Sequence, residues 1–253
     1  MKKPFLGQPQ PMLTVMVQDA EPNGVIRKIR NGLDQGAEAF GITVQYLKPE
    51  YQTHEIYRAL LDETKDKPSY VTNYRTQNNT EKTDEELAQG LLELADMGYT
   101  LIDVMGDLYC KHDEELTDDP EAICKQKELI RVLHDKGAEV LMSSHLYKFA
   151  PAERVLEIAL EQKRRGADVI KIVTGADTME QQLENLRITH LLKEELGAPF
   201  LFLSVGAECD VHRKLGMRLG CCMSLSTQEH DIYSTPSQPL LTVMKSLRND
   251  INL

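Results

Sequence analysis

Eight short apolar runs, spaced by roughly thirty residues and alternating with helical patterns, restrict the fold of this chain more than any other feature. The runs are "MLTVMV" (12–17), "AEAFGITV" (37–44), "SYVTNYR" (69–75), "TLIDVM" (100–105), "EVLMSSH" (139–145), "DVIKIV" (168–173), "PFLFLSV" (199–205) and "GCCMSLS" (220–226). Between several of them the apolar residues recur at steps of three and four, as in helices that cover a sheet with one face. Helix punctuation agrees: Asp119-Pro120 and Pro151 stand at starts, and Gly36, Gly98, Gly137 and Gly166 at ends. Apolar strands buried on both faces, each followed by a helix, predict a parallel α/β sheet closed into a (β/α)8 TIM barrel, one domain over residues 1–253. A doubly wound open sheet is the alternative, but "MVQDAEPNG" follows the first run where a G-x-G-x-x-G loop would mark it.

Composition narrows the function. A net charge of −11 and a pI near 5.2 exclude wholesale attraction to nucleic acid or an anionic membrane, while leaving room for a local basic pocket that holds a small anion. No apolar run is long enough to span a bilayer, and "MKKPFLGQPQPML" lacks the apolar stretch of a signal peptide, so a cytoplasmic protein is expected. The five cysteines are scattered without C-x-x-C spacing and read as reduced thiols, with Cys221-Cys222 as small core residues. The histidines show no ligand spacing, so no metal is expected. His212, beside Arg213, is a candidate for a pocket rim; His54, His112, His134, His190 and His230 read as surface residues.

Closure of the barrel would gather the carboxyl ends of all strands at one mouth. The polar residues there are Arg75, His145, Lys171, Arg213, Ser234 and Gln238. Lys171 stands out because Val169, Ile170, Ile172 and Val173 surround it, and an ammonium is costly to bury without a partner. A buried amine kept uncharged by desolvation and nearby cations is a nucleophile for a ketone or aldehyde. His145 lies 26 residues earlier, one strand-helix-strand unit away, and could take the proton that the resulting iminium acidifies and return one to a leaving hydroxyl. That chemistry is a dehydration.

The residues now assembled resemble type I 3-dehydroquinate dehydratase, a class I aldolase-like barrel. The likeness runs through "TNYRT", "LIDV", "SSHLYKF", "GADVIKIV", "HRKLGMRLG" and "STPSQ", in order and at matching spacing over nearly the whole chain. It implies a carbon-oxygen lyase converting 3-dehydroquinate to 3-dehydroshikimate without a cofactor, in the shikimate pathway of aromatic amino acid biosynthesis or in quinate breakdown. Lys171 would form the Schiff base, His145 would act as acid and base, and Arg213 would grip the carboxylate of a small anionic substrate. Arg75, Ser234 and Gln238 would complete substrate binding, the last two on a loop, "QEHDIYSTPSQ", that closes over the site. The resemblance also implies a homodimer.

Departures from the family pattern bear on activity. Gly41, Thr43 and Gln45 stand where an E-x-R-x-D run is expected, and Met105 replaces the glutamate that would orient His145. A Glu-Gly-Gly segment is missing from "RTQNNT". Asp103 or Asp107 are the candidates to take over the orienting role, although Asp103 also reads as a structural carboxylate. Two other readings stay open: a Schiff-base aldolase or dehydratase for a different substrate, since "KIVTG" is similar to the lysine motif of deoxyribose-phosphate aldolases, and a non-catalytic carboxylate-binding barrel.

Overall fold

A computed structural model describes residues 4–250 of the 253-residue chain. Eight parallel strands form one sheet: β1 (Met12–Val17), β2 (Ala39–Thr43), β3 (Ser69–Thr72), β4 (Leu101–Met105), β5 (Glu139–His145), β6 (Val169–Gly175), β7 (Phe200–Val205) and β8 (Met223–Ser226). Their spatial order, β7-β6-β5-β4-β3-β2-β1-β8, follows the chain around a barrel. The ladder is incomplete only between β7 and β8, where Cys222 N–H donates to the Phe200 carbonyl at 2.9 Å. This is a nearly closed TIM barrel, as the alternation predicts. The helices are α1 (Pro22–Gln35), α2 (His54–Glu63), α3 (Asp84–Met97), α4 (Pro120–Asp135), α5 (Ala152–Arg165), α6 (Met179–Glu195), α7 (Asp210–Leu219) and α8 (Leu241–Asp250). The single-domain expectation over residues 1–253 extends outside the described residues at both ends.

Helix boundaries follow local chemistry. Thr83 accepts from the Glu86 N–H while the Glu86 carboxylate accepts from the Thr83 N–H, a reciprocal capping box that starts α3. Asp119 caps α4 in front of Pro120. Gly36, Gly98 and Gly166 end α1, α3 and α5 in the left-handed region, where a side chain would be strained. The third and eighth strands are shorter than the sequence runs, because Asn73 to Arg75 and Gly220 to Cys222 belong to the connecting loops.

Strand alternation sorts the residues into layers. Outward side chains such as Val15, Ile42, Val71, Ile102 and Val104 join one apolar cluster against the helices. A second cluster fills the interior with Met12, Met16, Leu101, Leu141 and Leu201 and continues to α5 and α6. Phe5, 2% exposed, enters that cluster from the amino-terminal side, and its N–H donates to Glu139 Oε2 at 2.7 Å at the start of β5. With the amino-terminal end so plugged, the interior cavity opens at the opposite mouth.

Candidate active site

At that mouth lies a cavity of about 520 Å³ lined by residues from all eight strands or the loops that follow them. It brings together Lys171, His145, Arg75, Arg213 and Gln238. Lys171 points inward from β6, 4% exposed, and β6 pairs with β5 so that Lys171 sits opposite Ser143 and Val173 opposite His145. The amine and the imidazole therefore rise from adjacent strands, the imidazole two residues nearer the mouth.

The partner of the amine differs from expectation. Where nearby cations are expected, Lys171 Nζ lies 3.2 Å from Asp103 Oδ2, 2.9 Å from the Tyr70 hydroxyl and 2.7 Å from the Tyr74 hydroxyl. Asp103, 1% exposed, also accepts from Ser143 Oγ at 2.6 Å and from both tyrosine hydroxyls. Four donors thus converge on one buried carboxylate, which supplies the counter-charge that a buried ammonium requires. Burial raises the pKa values of Tyr70 and Tyr74 well above the usual phenol value, and the Asp103 charge raises them further, so both remain protonated donors. Tyr70, Thr72 and Tyr74 all line the cavity, the period of two that β3 imposes and that continues past its end. That periodicity in "SYVTNYR" was the available signal for both tyrosines.

His145 does have a carboxylate, but neither Asp103 nor Asp107 provides it. Glu115 Oε2 lies 2.6 Å from His145 Nδ1 and accepts the His145 backbone N–H at 3.1 Å. Asp103 serves Lys171, and Asp107 serves Arg75. Glu115 arrives on the β4–α4 loop with a positive φ of 48°. Gly106 permits the approach, since a Cβ there would collide with the Glu115 carbonyl. That carbonyl accepts Ser144 Oγ at 2.8 Å, while Arg165 donates to the Gly106 and Thr117 carbonyls at 3.0 and 2.5 Å. A loop so anchored can hold a non-glycine residue in the left-handed region. Nothing in the sequence spacing pointed to Glu115, because the contact depends on how that loop folds back. The His145 ring is further fixed by Tyr74, edge-on at 5.5 Å between centroids, and by Tyr147, stacked at 5.7 Å.

Arg75 lines the cavity, yet its guanidinium is occupied: Nε and Nη2 donate to Asp84 at 2.5 and 2.9 Å, and Nη1 donates to Asp107 at 2.8 Å. Burial pulls its pKa down, but the two carboxylates outweigh that and raise it. Arg213 is the opposite case. It is 7% exposed, its Nε donates to the Ser204 carbonyl at 2.5 Å, and among the described residues no carboxylate lies within ion-pair distance. Burial pushes its pKa down to about 10. A desolvated, always-charged planar fork facing a cavity is suited to a carboxylate or phosphate.

His212 is not a rim residue; it is wholly buried between Thr189 Oγ1, at 2.8 Å, and Ser204 Oγ. Burial, with Arg213 adding to it, lowers its pKa to about 3, so it is a neutral strut beneath Arg213. His112, read as a surface residue, lines the cavity. Gln238 lines it with Oε1 buried and unbonded, whereas Ser234 does not: its hydroxyl donates to the Asp231 carbonyl at 2.9 Å inside its own loop. That loop is tied to α1 by Lys28, whose Nζ lies 2.6 Å from Asp231 and 3.2 Å from Asp19. At the end of β2 the wall is neutral: Met16 fills the space over Gly41, and Gln45 Oε1 accepts Thr72 Oγ1 at 3.1 Å. No cluster of three metal-ligating side chains occurs among the described residues, and no described helix is long and apolar enough to cross a membrane.

Comparison with known proteins bears on this geometry. The family model for type I 3-dehydroquinase matches residues 13–251. A 3-dehydroquinate dehydratase of Alkaliphilus oremlandii is 28% identical over 137 residues, 53% of this chain and 52% of the relative. The chain spans about half the length of the curated relatives it matches. In fold, the crystal structure of 3-dehydroquinate dehydratase from Geobacillus kaustophilus superposes with a TM-score of 0.83 at 15% identity, covering 97% of this chain and 93% of that one. The Clostridium difficile type I enzyme, solved with covalently modified comenic acid, gives a TM-score of 0.80 at 18% identity, covering 97% and 94%.

Proposed function

Since the chain belongs to the type I 3-dehydroquinase family, a family of carbon-oxygen lyases, we propose that it dehydrates 3-dehydroquinate, or a close β-hydroxy ketone carboxylate, through a Schiff base at Lys171. The observation that carries this reading is one cavity in which an inward lysine, a carboxylate-paired histidine and a buried guanidinium without a counter-ion among the described residues face the same space. Arg213 orients the substrate by its carboxylate, and Gln238 offers an unpaired amide oxygen to a hydroxyl. Lys171, freed of a proton, attacks the ketone, and loss of water gives an iminium that draws electrons from the adjacent carbon. With Nδ1 engaged by Glu115, Nε2 of His145 takes the proton from that carbon and returns one to the departing β-hydroxyl. Glu115 fixes the tautomer and stabilises the imidazolium, the part that Met105 cannot play.

Borohydride reduction in the presence of 3-dehydroquinate tests the reading. A mass increment on the tryptic peptide spanning residues 166–187, with Lys171 uncleaved, is expected. A clean peptide, under conditions that label another type I enzyme, refutes it. A second reading, a carboxylate-binding barrel without turnover, is favoured by the pairing of Lys171 with Asp103 and by the sequestered Arg75. It requires a quinate-induced thermal shift with neither trapping nor product formation.

A further inference from the structure

We propose that Tyr74 is a second catalytic acid–base group, which passes protons between Lys171, Asp103 and the oxygen of the carbonyl that Lys171 attacks; this rests on the Schiff-base reading above. The need for such a group is set by geometry. His145 has one free ring nitrogen and stands two residues nearer the mouth than the amine, where it must remain a base for the carbon adjacent to the iminium. A donor already in contact with the amine is better placed to protonate the carbonyl oxygen, which is attached to the carbon that bonds Nζ. That oxygen emerges within hydrogen-bond reach of whatever already touches the amine.

Tyr74 is the neighbour nearer the mouth, beyond the end of β3. Lys171 Nζ donates to its hydroxyl at 2.7 Å, and the hydroxyl donates to Asp103 Oδ2. Moving each proton one step along this chain leaves a neutral amine and a protonated Asp103, while Tyr74 remains a phenol throughout. A buried phenol beside a carboxylate resists ionisation, and the relay never asks it to ionise.

The hydrogens balance without an outside donor. The ammonium carries three hydrogens and the iminium one; the other two leave on the carbonyl oxygen as water. In the first pass the amine lone pair forms the C–N bond, the π electrons move to oxygen, and oxygen takes a proton from Tyr74 as Asp103 replenishes it. In the second pass nitrogen gives up a further proton along the same route, the hydroxyl accepts it, the C–O bond breaks and water departs. Tyr70 makes similar contacts, 2.9 Å to Nζ and a hydrogen bond to Asp103, but it is wholly buried at the cavity floor, four residues earlier along the chain, and serves as the internal control.

The test is rapid-quench borohydride trapping of the Lys171 adduct with 3-dehydroquinate in the full chain, Tyr74→Phe and Tyr70→Phe. Adduct formation is expected to slow about 100-fold in Tyr74→Phe, at least ten times more than in Tyr70→Phe, with deuterium exchange at the adjacent carbon of the preformed imine unchanged. The proton inventory of trapping in the unmodified protein is expected to curve, because two protons move together. Equal slowing in both variants, trapping by Tyr74→Phe at the unmodified rate, or a linear inventory overturns the role of Tyr74 and leaves the Schiff-base reading standing. Absence of any adduct in the unmodified protein overturns that reading and the relay with it.

Discussion

Replacing Asp103 by asparagine tests the buried hub without reference to any substrate. The substitution keeps the shape and one acceptor for the hydroxyls of Ser143, Tyr70 and Tyr74, but removes the only carboxylate within ion-pair distance of Lys171 among the described residues. The side chains of the pair are 0% and 5% exposed, so water cannot replace the lost charge. Breaking a buried pair from one side typically costs about 3–5 kcal/mol, since the surviving ion stays desolvated. For a chain of this length each kcal/mol corresponds to about 2–4 °C, giving a fall in Tm of roughly 6–20 °C. Urea and thermal unfolding of Asp103→Asn, Lys171→Met and the double variant form the cycle. The double variant, in which no charge is stranded, should recover at least half the loss. A single variant within about 1 kcal/mol of the unmodified protein, or a double variant no more stable than Asp103→Asn, refutes the claim that this carboxylate compensates Lys171.

The other expectations concern the mouth and its support. Glu115→Gln keeps size and removes charge; a charge-assisted hydrogen bond of about 1.5–3 kcal/mol predicts kcat for 3-dehydroquinate roughly 10- to 100-fold lower with KM little changed, and an unaltered kcat would show that His145 is oriented without it. Arg213→Lys replaces a planar fork by a point charge, so the thermal shift given by quinate should shrink; an undiminished shift would place the carboxylate elsewhere. His212 has a folded pKa of about 3 against 6.5 for the free side chain, so the unfolded state binds the extra proton. The stability this group contributes is full above pH 6.5 and is lost as pH falls towards 3; about 2 kcal/mol should go between pH 7 and pH 5 by urea titration. His212→Gln should lack that portion of the slope, and a slope identical to the unmodified protein would refute the assignment.

The departures from the family pattern have a common physical consequence. Once β4 carries Met105 in place of a glutamate for His145, the carboxylate can come from any chain segment that reaches the same ring nitrogen, and Glu115 reaches it from the β4–α4 loop. Arg75 keeps its place on the cavity wall, but Asp84 and Asp107 hold it, so among the described residues Arg213 is left as the buried cation that faces the ligand space unpaired.

Period and punctuation were legible in the amino acids. Apolar runs, capping residues and glycines are local properties, and they determined the barrel and the proximity of Lys171 and His145 on neighbouring strands, while the inward direction of Lys171 came from the folded chain. Short local patterns also marked Arg213, although not its lack of a counter-ion. Which carboxylate meets which cation was decided only by tertiary structure. Asp103, Asp107 and Glu115 lie within thirteen residues of one another, yet folding sends them to Lys171, Arg75 and His145 respectively. Strand spacing could not reveal this, because the reach of a loop depends on a positive φ at Glu115, on the bare backbone of Gly106 and on carbonyls tied to Arg165 from a distant helix. Ser234 shows the same limit in reverse: its neighbour Thr235 faces the cavity while its own hydroxyl turns back into the loop, a choice of side-chain direction that only the folded chain makes.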